Sequence, residues 1–502
     1  MRILFVSHNV PPHGTAGTET YTAELARALA RRGHAVMVFA ALKDIRRREG
    51  RVLAREAQGV AIREIVNNLY HANLRGTWHN PRVERAFAAV LREHRPEVVH
   101  VQHLLYLSAG CLRLAREAGA RVVFTLHDYW LTCARLGQRV HADGAVCHTV
   151  DFARCGTCLV SHAWTQPRAA RVVGPWIAAL HEVTGLDLSG AARRARSALE
   201  PAAARASPPA PAPEERAASA TTRGDAPEGA HGATAEAPAP LAPGSEPAPA
   251  SAAASALARA AEERARALRA EVGGAVDLFL APSRFLRERF LAEWGLDPAR
   301  IEHLPFGFDR ARFGGARRPS PDGRFRVGFL GTLVPLKGPH VLLEAWSQIP
   351  AGLRARARLV VHGPARGGQA YHEHLLGLAR AAGAELPGPL TRDEVGPFLL
   401  ATDLLVVPSL WFENSPLAIQ EAIACRTPLA ASDLGGMREL VVPGENGLLF
   451  PAGDVAALAR HLADAIAGRA GLERCYANAP ALLDFEEHVD RVLARYARGA
   501  RP

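Results

Sequence analysis

Glu413 and Glu421 stand eight residues apart and enclose the run Asn414-Ser415-Pro416-Leu417 with three further residues. Serine is a favoured helix N-cap and proline suits the first helical position, so a helix is expected to begin at Ser415-Pro416. That puts Glu413 in a loop and Glu421 nearly two turns into the helix. The first backbone N–H groups, on Leu417 and Ala418, then have no intrahelical acceptor and suit a phosphate or sugar oxygen. Taken alone, the pair also fits a plain loop carboxylate and a solvated helix residue, because two glutamates at this spacing arise readily by chance.

Three other positions carry similar weight. Lysine occurs only at Lys43 and Lys337, although lysine and arginine together number 60. A chain that writes nearly every cation as arginine keeps a compact ammonium at Lys337, in the loop Gly331-Thr332-Leu333-Val334-Pro335-Leu336-Lys337-Gly338. Gly17, in Ala16-Gly17-Thr18-Glu19, lets backbone approach an anion at a helix start, while the absence of Gly-x-Gly-x-x-Gly weighs against a dinucleotide enzyme. His127 falls at the end of an expected strand, as a ligand contact or as a buried, hydrogen-bonded histidine.

Cys133, Cys147, Cys155 and Cys158 lie in one stretch, and Cys155-x-x-Cys158 has the spacing of a metal knuckle. Four thiolates suit a structural zinc ion, with His141 and His148 as substitutes; free or redox-active thiols are the alternative. Cys111, Cys425 and Cys475 are isolated and read as packing residues.

The elements that must position these groups alternate between strand and helix patterns, the signature of a parallel α/β protein. Strands are expected at 3–7, 98–101, 122–126 and 278–281, and again at 325–329, 359–361, 404–407 and 429–431. A helix with Tyr21, Leu25 and Leu29 on one face follows the first strand and ends at Arg31-Arg32-Gly33. Two successive β-loop-α beginnings imply two Rossmann-like domains facing across a cleft, with ligands beyond the carboxyl ends of the strands. The expected division is a first domain over 1–197, a disordered insertion over 198–256, the rest of the first domain over 257–312, a second domain over 320–474, and a C-terminal helix within 475–502 crossing back to the first. The insertion is almost wholly Ala, Pro, Glu, Arg, Ser and Gly, too poor in large apolar side chains to offset its ordering entropy.

The 48% hydrophobic and 22% charged composition is that of a globular protein. No run is long and apolar enough to span a bilayer, and the first residues lack a signal-peptide pattern, so a cytoplasmic location is expected. The formal charge of +10 rides on an arginine bias and gives no reason to expect nucleic acid. A weak attraction to anionic lipid headgroups, peripheral to the inner face of the membrane, is the more useful expectation.

Pro408-Ser409, Glu413, Pro416-Leu417, Glu421-Ala422, Pro428, Gly435-Gly436-Met437-Arg438-Glu439 and Gly447-Leu448-Leu449-Phe450 occur in that order. With the Gly17 loop, Lys337 and His127, this set resembles the retaining glycosyltransferases of family 4, which have the GT-B fold. The resemblance covers both halves apart from the insertion. It implies that Glu421 holds the ribose hydroxyls of a nucleotide, that Glu413 steadies charge at the donor sugar's anomeric carbon, and that Lys337 pairs with the donor diphosphate. It places Gly17 against the diphosphate and His127 against the donor sugar, with Thr332, Asn414, Ser415, Pro416 and Leu417 completing the donor site. The chain departs from the family at Thr332, where arginine is frequent, at Ala16 and Arg426, where glycines are expected, and at Phe306, in place of a frequent asparagine; these bear on donor identity.

The activity implied is transfer of a sugar from a UDP- or GDP-sugar to a glycan or lipid-linked acceptor, with retention, in cell-surface glycan or glycolipid synthesis. No cofactor is required for catalysis, and zinc enters only as a structural ion in the cysteine loop on the acceptor side. A nucleotide-sugar epimerase on the same fold and a non-catalytic binding protein are the alternatives. The two glutamates with Lys337 weigh against the first, and their persistence beside His127 weighs against the second.

Overall fold

The computed structural model describes residues 1–14, 16–188, 190, 251–313, 315–316, 322–468, 471–475 and 480–498. Near-continuous runs of Ile, Leu, Val and Phe form strands covered on both faces, as parallel sheets require; Ile3, Leu4, Phe5 and Val6 are fully buried. The first sheet contains β1 (Arg2–Ser7), β2 (Ala35–Leu42), β3 (Val52–Ala57), β4 (Val60–Val66), β5 (Val98–Val101), β6 (Arg121–Thr125), β7 (Leu278–Ala281) and β8 (Ile301–His303). Their spatial order is β3-β4-β2-β1-β5-β6-β7-β8. Every pair is parallel except the edge hairpin of β3 and β4. Gln58 and Gly59 turn that hairpin with φ of 53° and 79°, the left-handed geometry that matches strand twist in a two-residue loop.

The second sheet contains β9 (Phe325–Leu330), β10 (Ala357–His362), β11 (Glu385–Gly388), β12 (Leu404–Val407), β13 (Leu429–Ser432) and β14 (Gly447–Phe450). It is parallel throughout, in the order β11-β10-β9-β12-β13-β14. Two helix-covered parallel sheets, each with its own core, give the α/β class expected from the sequence.

The chain after the insertion rejoins the first sheet, because β7 pairs with β6. Most of the segment expected to be disordered lies outside the described residues. Its last part is helical: the Ala252–Ala275 helix starts four residues before the expected end of the insertion, with Ser251 Oγ accepting from Ala254 N–H at 3.2 Å. Alanine's high helix propensity and this serine cap suffice to start it there. Gly156 explains its docking, since a Cβ at that position would lie 2.1 Å from the Ala254 carbonyl oxygen.

The Phe485–Ala497 helix buries Val489, Val492 and Tyr496 among Ile3, Phe5, Leu25 and Leu29 of the first domain. Tyr496 Oη lies 2.6 Å from His100 Nδ1, and His488 Nε2 lies 2.7 Å from Tyr21 Oη. The chain therefore closes on the domain where it began.

Candidate active site

Gly338 has φ of 66°, and a Cβ there would lie 2.0 Å from the carbonyl oxygen of Pro408, so only glycine lets the Lys337 loop close on the end of β12. The Leu410 N–H donates to the Leu336 carbonyl at 2.8 Å and locks the two loops together. This brings Lys337 Nζ to 2.5 Å from Glu413 Oε1. The same oxygen accepts from Ser409 Oγ at 2.9 Å and from Trp411 Nε1 at 2.7 Å. Lys337 also sits 5.5 Å from the centre of the Trp411 ring. A buried carboxylate with a cation and two neutral donors is held in one place by charge-assisted bonds. Thr332 is half-buried in the same loop, between β9 and Lys337.

The helix after Glu413 runs from Leu417 to Ala424, not from Ser415-Pro416. Pro416 occupies the capping position with ψ of 126°, and Ser415 Oγ accepts from Gln420 Nε2 at 2.8 Å instead of capping a backbone N–H. Pro416 is itself extended, so the helix starts one residue after it. Among the described residues the N–H groups of Leu417 and Ala418 have no acceptor. Opposite them the Gly17–Arg31 helix begins, and a Cβ at Gly17 would lie 3.8 Å from Leu417 Cδ1. Two helix N-termini, each with partial positive charge, thus meet across the cleft. Glu421 faces inward, and burial pushes its carboxyl up to about 7, only partly opposed by Arg392.

The first domain contributes a rim of imidazoles at the carboxyl ends of adjacent strands. His8 follows β1, His103 follows β5 and His127 follows β6. His127 stacks on Phe306 with ring centres 5.2 Å apart and lies edge-on to Tyr21, while its Nε2 is 2.8 Å from Gln102 Oε1. Burial, reinforced by the neighbouring histidines, holds its pKa well below the usual imidazole range, so the ring is neutral. His8 Nε2 lies 3.1 Å from Glu19 Oε1, and His103 Nε2 lies 3.0 Å from Asp128 Oδ2. Burial lowers the His8 pKa against the pull of Glu19. Burial also pushes the Glu19 carboxyl up, but its hydrogen bond and charge interaction with His8 outweigh that, leaving it below the usual range. His8 Nδ1, Glu19 Oε2 and Gln102 Nε2 are buried polar atoms without a protein partner. Such atoms are costly unless a ligand or water meets them.

His8, Gln102, His103 and Asp128 were absent from the sequence reading of the site, and Glu19 entered only as part of a loop. The signal that finds them is positional: each lies within three residues of a strand end or at the helix start of the first βα unit, where parallel sheets bind ligands.

The two domains are pinned around the Glu413 loop. Phe412 of the second domain is buried against Tyr129, Phe285 and His148 of the first, with the Arg289 guanidinium 4.6 Å from its ring. Glu439 accepts from the N–H groups of Arg284 and Phe285 at 2.9 and 2.6 Å, capping a first-domain helix from across the cleft. The Asn414 amide, expected at the donor, bridges the domains instead: Nδ2 donates to the His127 carbonyl at 2.6 Å and Oδ1 accepts from Tyr129 Oη at 2.9 Å. Gly436 allows the close fit, since its N–H donates to the Glu413 carbonyl at 2.6 Å and a Cβ would lie 2.0 Å from the Asn414 carbonyl oxygen.

Cys133, Cys147, Cys155 and Cys158 are free thiols, and no group of three or more His, Cys, Asp or Glu side chains among the described residues is arranged to hold a metal ion. Cys147 Sγ donates to the Thr149 carbonyl at 3.2 Å, Cys158 Sγ lies 3.4 Å from His141 Nδ1, and Cys155 packs against the cluster of Leu74, Leu159 and Ala261. Burial and the adjacent thiols push Cys155 up to about 12. The loop is closed by Arg139, whose fully buried guanidinium donates to the Cys147 and His148 carbonyls and to both oxygens of Glu293. Glycine between Cys155 and Cys158 serves the helix contact at Ala254.

The chain is similar to known proteins in sequence and in fold. Residues 316–481 match the family described as glycosyl transferases group 1, and residues 15–154 match glycosyltransferase family 4. D-inositol 3-phosphate glycosyltransferase of Rhodococcus erythropolis is 33% identical over 225 residues, covering 41% of this chain and 50% of the relative. That of Streptomyces bingchenggensis is 33% identical over 223 residues, covering 40% and 48%. The chain thus spans about half the length of the curated relatives it matches. Among solved structures, sucrose-phosphate synthase of Thermosynechococcus elongatus superposes with a TM-score of 0.57 at 17% identity, over 99% of both chains. Anabaena Alr3699/HepE in complex with UDP and glucose superposes with a TM-score of 0.56 at 15% identity, again over 99% of both. The family matches at both ends of the chain, with two parallel sheets meeting over a shared cleft, make this chain a member of glycosyltransferase family 4, of the GT-B superfamily.

Proposed function

We propose that the protein transfers a sugar from a nucleoside diphosphate sugar to an acceptor hydroxyl with retention of anomeric configuration. One observation carries this reading: the Lys337–Glu413 pair lies beside the point where the helix starts at Gly17 and Leu417 converge. An ammonium and unpaired backbone N–H groups together suit a diphosphate leaving group, whose charge grows as the glycosidic bond breaks. Glu421, half-protonated near neutral pH, accepts hydrogen bonds from ribose hydroxyls once it ionises. Neutral His127 keeps one nitrogen available to a sugar hydroxyl. In this reading the acceptor oxygen attacks from the face the diphosphate leaves, and a phosphate oxygen takes its proton. No pair of carboxylates about 5 Å apart is then needed, as it is in a retaining glycosidase. The buried, unpartnered atoms on the histidine rim suit a polyhydroxylated acceptor or donor sugar.

The test is a panel of UDP-, GDP- and ADP-sugars, with D-inositol 3-phosphate among the acceptors because sequence relatives are named for it. Expected is donor consumption with one nucleotide, a product of unchanged anomeric configuration, and at least about a hundredfold loss in Glu413→Gln. An inverted product overturns retention, and full activity in Glu413→Gln overturns the assignment of the site.

A further inference from the structure

The Arg168–Thr184 helix is turned inside out. Its inward face carries Gly174 and Ala178, and a Cβ at Gly174 would lie 2.1 Å from the Tyr70 hydroxyl. Its polar side chains also look inward or sideways: Arg171 Nη1 donates to the His71 carbonyl at 2.9 Å, and Glu182 accepts from Arg51 at 2.9 Å. Val172, Val173, Trp176, Leu180 and Val183 point away from the protein, and at the helical repeat they share an arc of about 100°. Trp176 is 76% exposed and Val183 is 79% exposed. Helices on a protein surface ordinarily bury such a stripe and show their polar face to water.

What covers the stripe is constrained. Residues 191–250, which follow the helix, contain Leu199 and Leu241 as their only large aliphatic or aromatic residues, too few to cover five apolar side chains. No charged residue interrupts the stripe. Beside it Arg46, Arg47, Arg48 and Arg51 meet Asp44, Glu182 and Asp187 in ion pairs, and Arg168 starts the helix itself, so the border is net basic. An uninterrupted apolar arc with a tryptophan and a net-basic border matches a helix lying in the plane of an anionic lipid surface. Among the described residues no helix is long and apolar enough to cross a membrane. The helix leans on residues 69–71, just past the carboxyl end of β4, on the side of the first sheet that also carries the histidine rim.

We propose that this stripe seats the protein in the headgroup region of an anionic bilayer, with the cleft turned toward the same surface. The test is flotation of the full chain with vesicles of phosphatidylcholine alone or mixed with phosphatidylglycerol, beside the variants Trp176→Ser and Val183→Glu. Both positions are exposed, so folding and melting temperature should match the parent. The expected result is binding to the mixed vesicles that weakens with salt and drops at least about tenfold in either variant. Absence of parent binding, or equal binding by parent and variants, overturns the proposal. A parent dimer in sedimentation that Val183→Glu dissociates, with no vesicle binding, overturns it in favour of a second copy of the chain as the cover.

Discussion

On the second-domain wall of the cleft, Lys337 and Glu413 face each other at 2.5 Å and the carboxylate has three donors. On the first-domain wall, neutral His127 and depressed His8 stand among buried polar atoms that nothing in the protein satisfies. One wall matches a cation to a carboxylate internally, while the other sets imidazoles beside the Glu19 and Asp128 carboxylates and is partly unsatisfied. The difference suits two parts of one substrate. A diphosphate needs fixed positive charge, which must be held in position before it arrives. A sugar offers hydroxyls, which are best read by neutral donors and acceptors that lose little when water is displaced.

The contrast breaks most visibly at Lys337. Lys337→Ala should lower kcat/KM for the donor by roughly 10²–10³-fold and also destabilise the ligand-free protein by about 1–3 kcal/mol, because Glu413 stays buried without its cation. Lys337→Arg should recover part of both, since the planar guanidinium cannot sit where the ammonium does. Steady-state kinetics with thermal melts check this, and full activity in Lys337→Arg would mean that charge alone matters there.

A smaller loss is expected across the cleft. His127→Ala should cost about tenfold to a hundredfold in turnover with little change in nucleotide affinity, because it removes a sugar contact and no charge. Any acid-side break from this residue should fall below the ordinary imidazole range, because burial holds its pKa down. Isothermal titration with the free nucleotide separates the two effects; a matching loss of nucleotide affinity would put His127 on the wrong half of the substrate.

The smallest effect sharpens the comparison at Glu421. Burial raises its pKa to about 7, whereas a glutamate in the unfolded chain titrates near 4.5. Between those values the folded protein holds one more proton, so this group's stability contribution is complete below pH 4.5 and is lost as pH rises through 7. Glu421→Gln should therefore melt like the parent at pH 5 and exceed it above pH 7, by at most about 3 kcal/mol. Its nucleotide affinity should fall about tenfold at high pH. Parallel melting profiles across the range would place Glu421 in an ordinary solvated carboxylate environment.

The second-domain wall was legible in the sequence because its parts are local. Glu413 and Glu421 share one strand-loop-helix, and Lys337 stands out by the rarity of lysine. Strand patterns at β1, β5, β6, β7, β9, β10, β12 and β13 were readable for the same reason: both faces are covered, so their residues are mostly apolar. The strands at β2, β3, β4, β8, β11 and β14 were not read; an apolar run such as Ala35–Leu42 suits a buried helix as well. The histidine rim gathers residues 8, 19, 102, 103, 127 and 128, which only the strand order brings together.

The Phe485–Ala497 helix has a consequence for synthesis. Val489, Val492 and Tyr496 complete a core that begins at Ile3 and Phe5, so nearly the whole chain must leave the ribosome before the first sheet is covered. At ordinary translation rates that interval is roughly 25–100 s. The second domain, whose residues emerge consecutively, can finish first. Vectorial order is thereby inverted: the half of the nascent chain made first waits, with an apolar face available to chaperones, for a strip of residues made last.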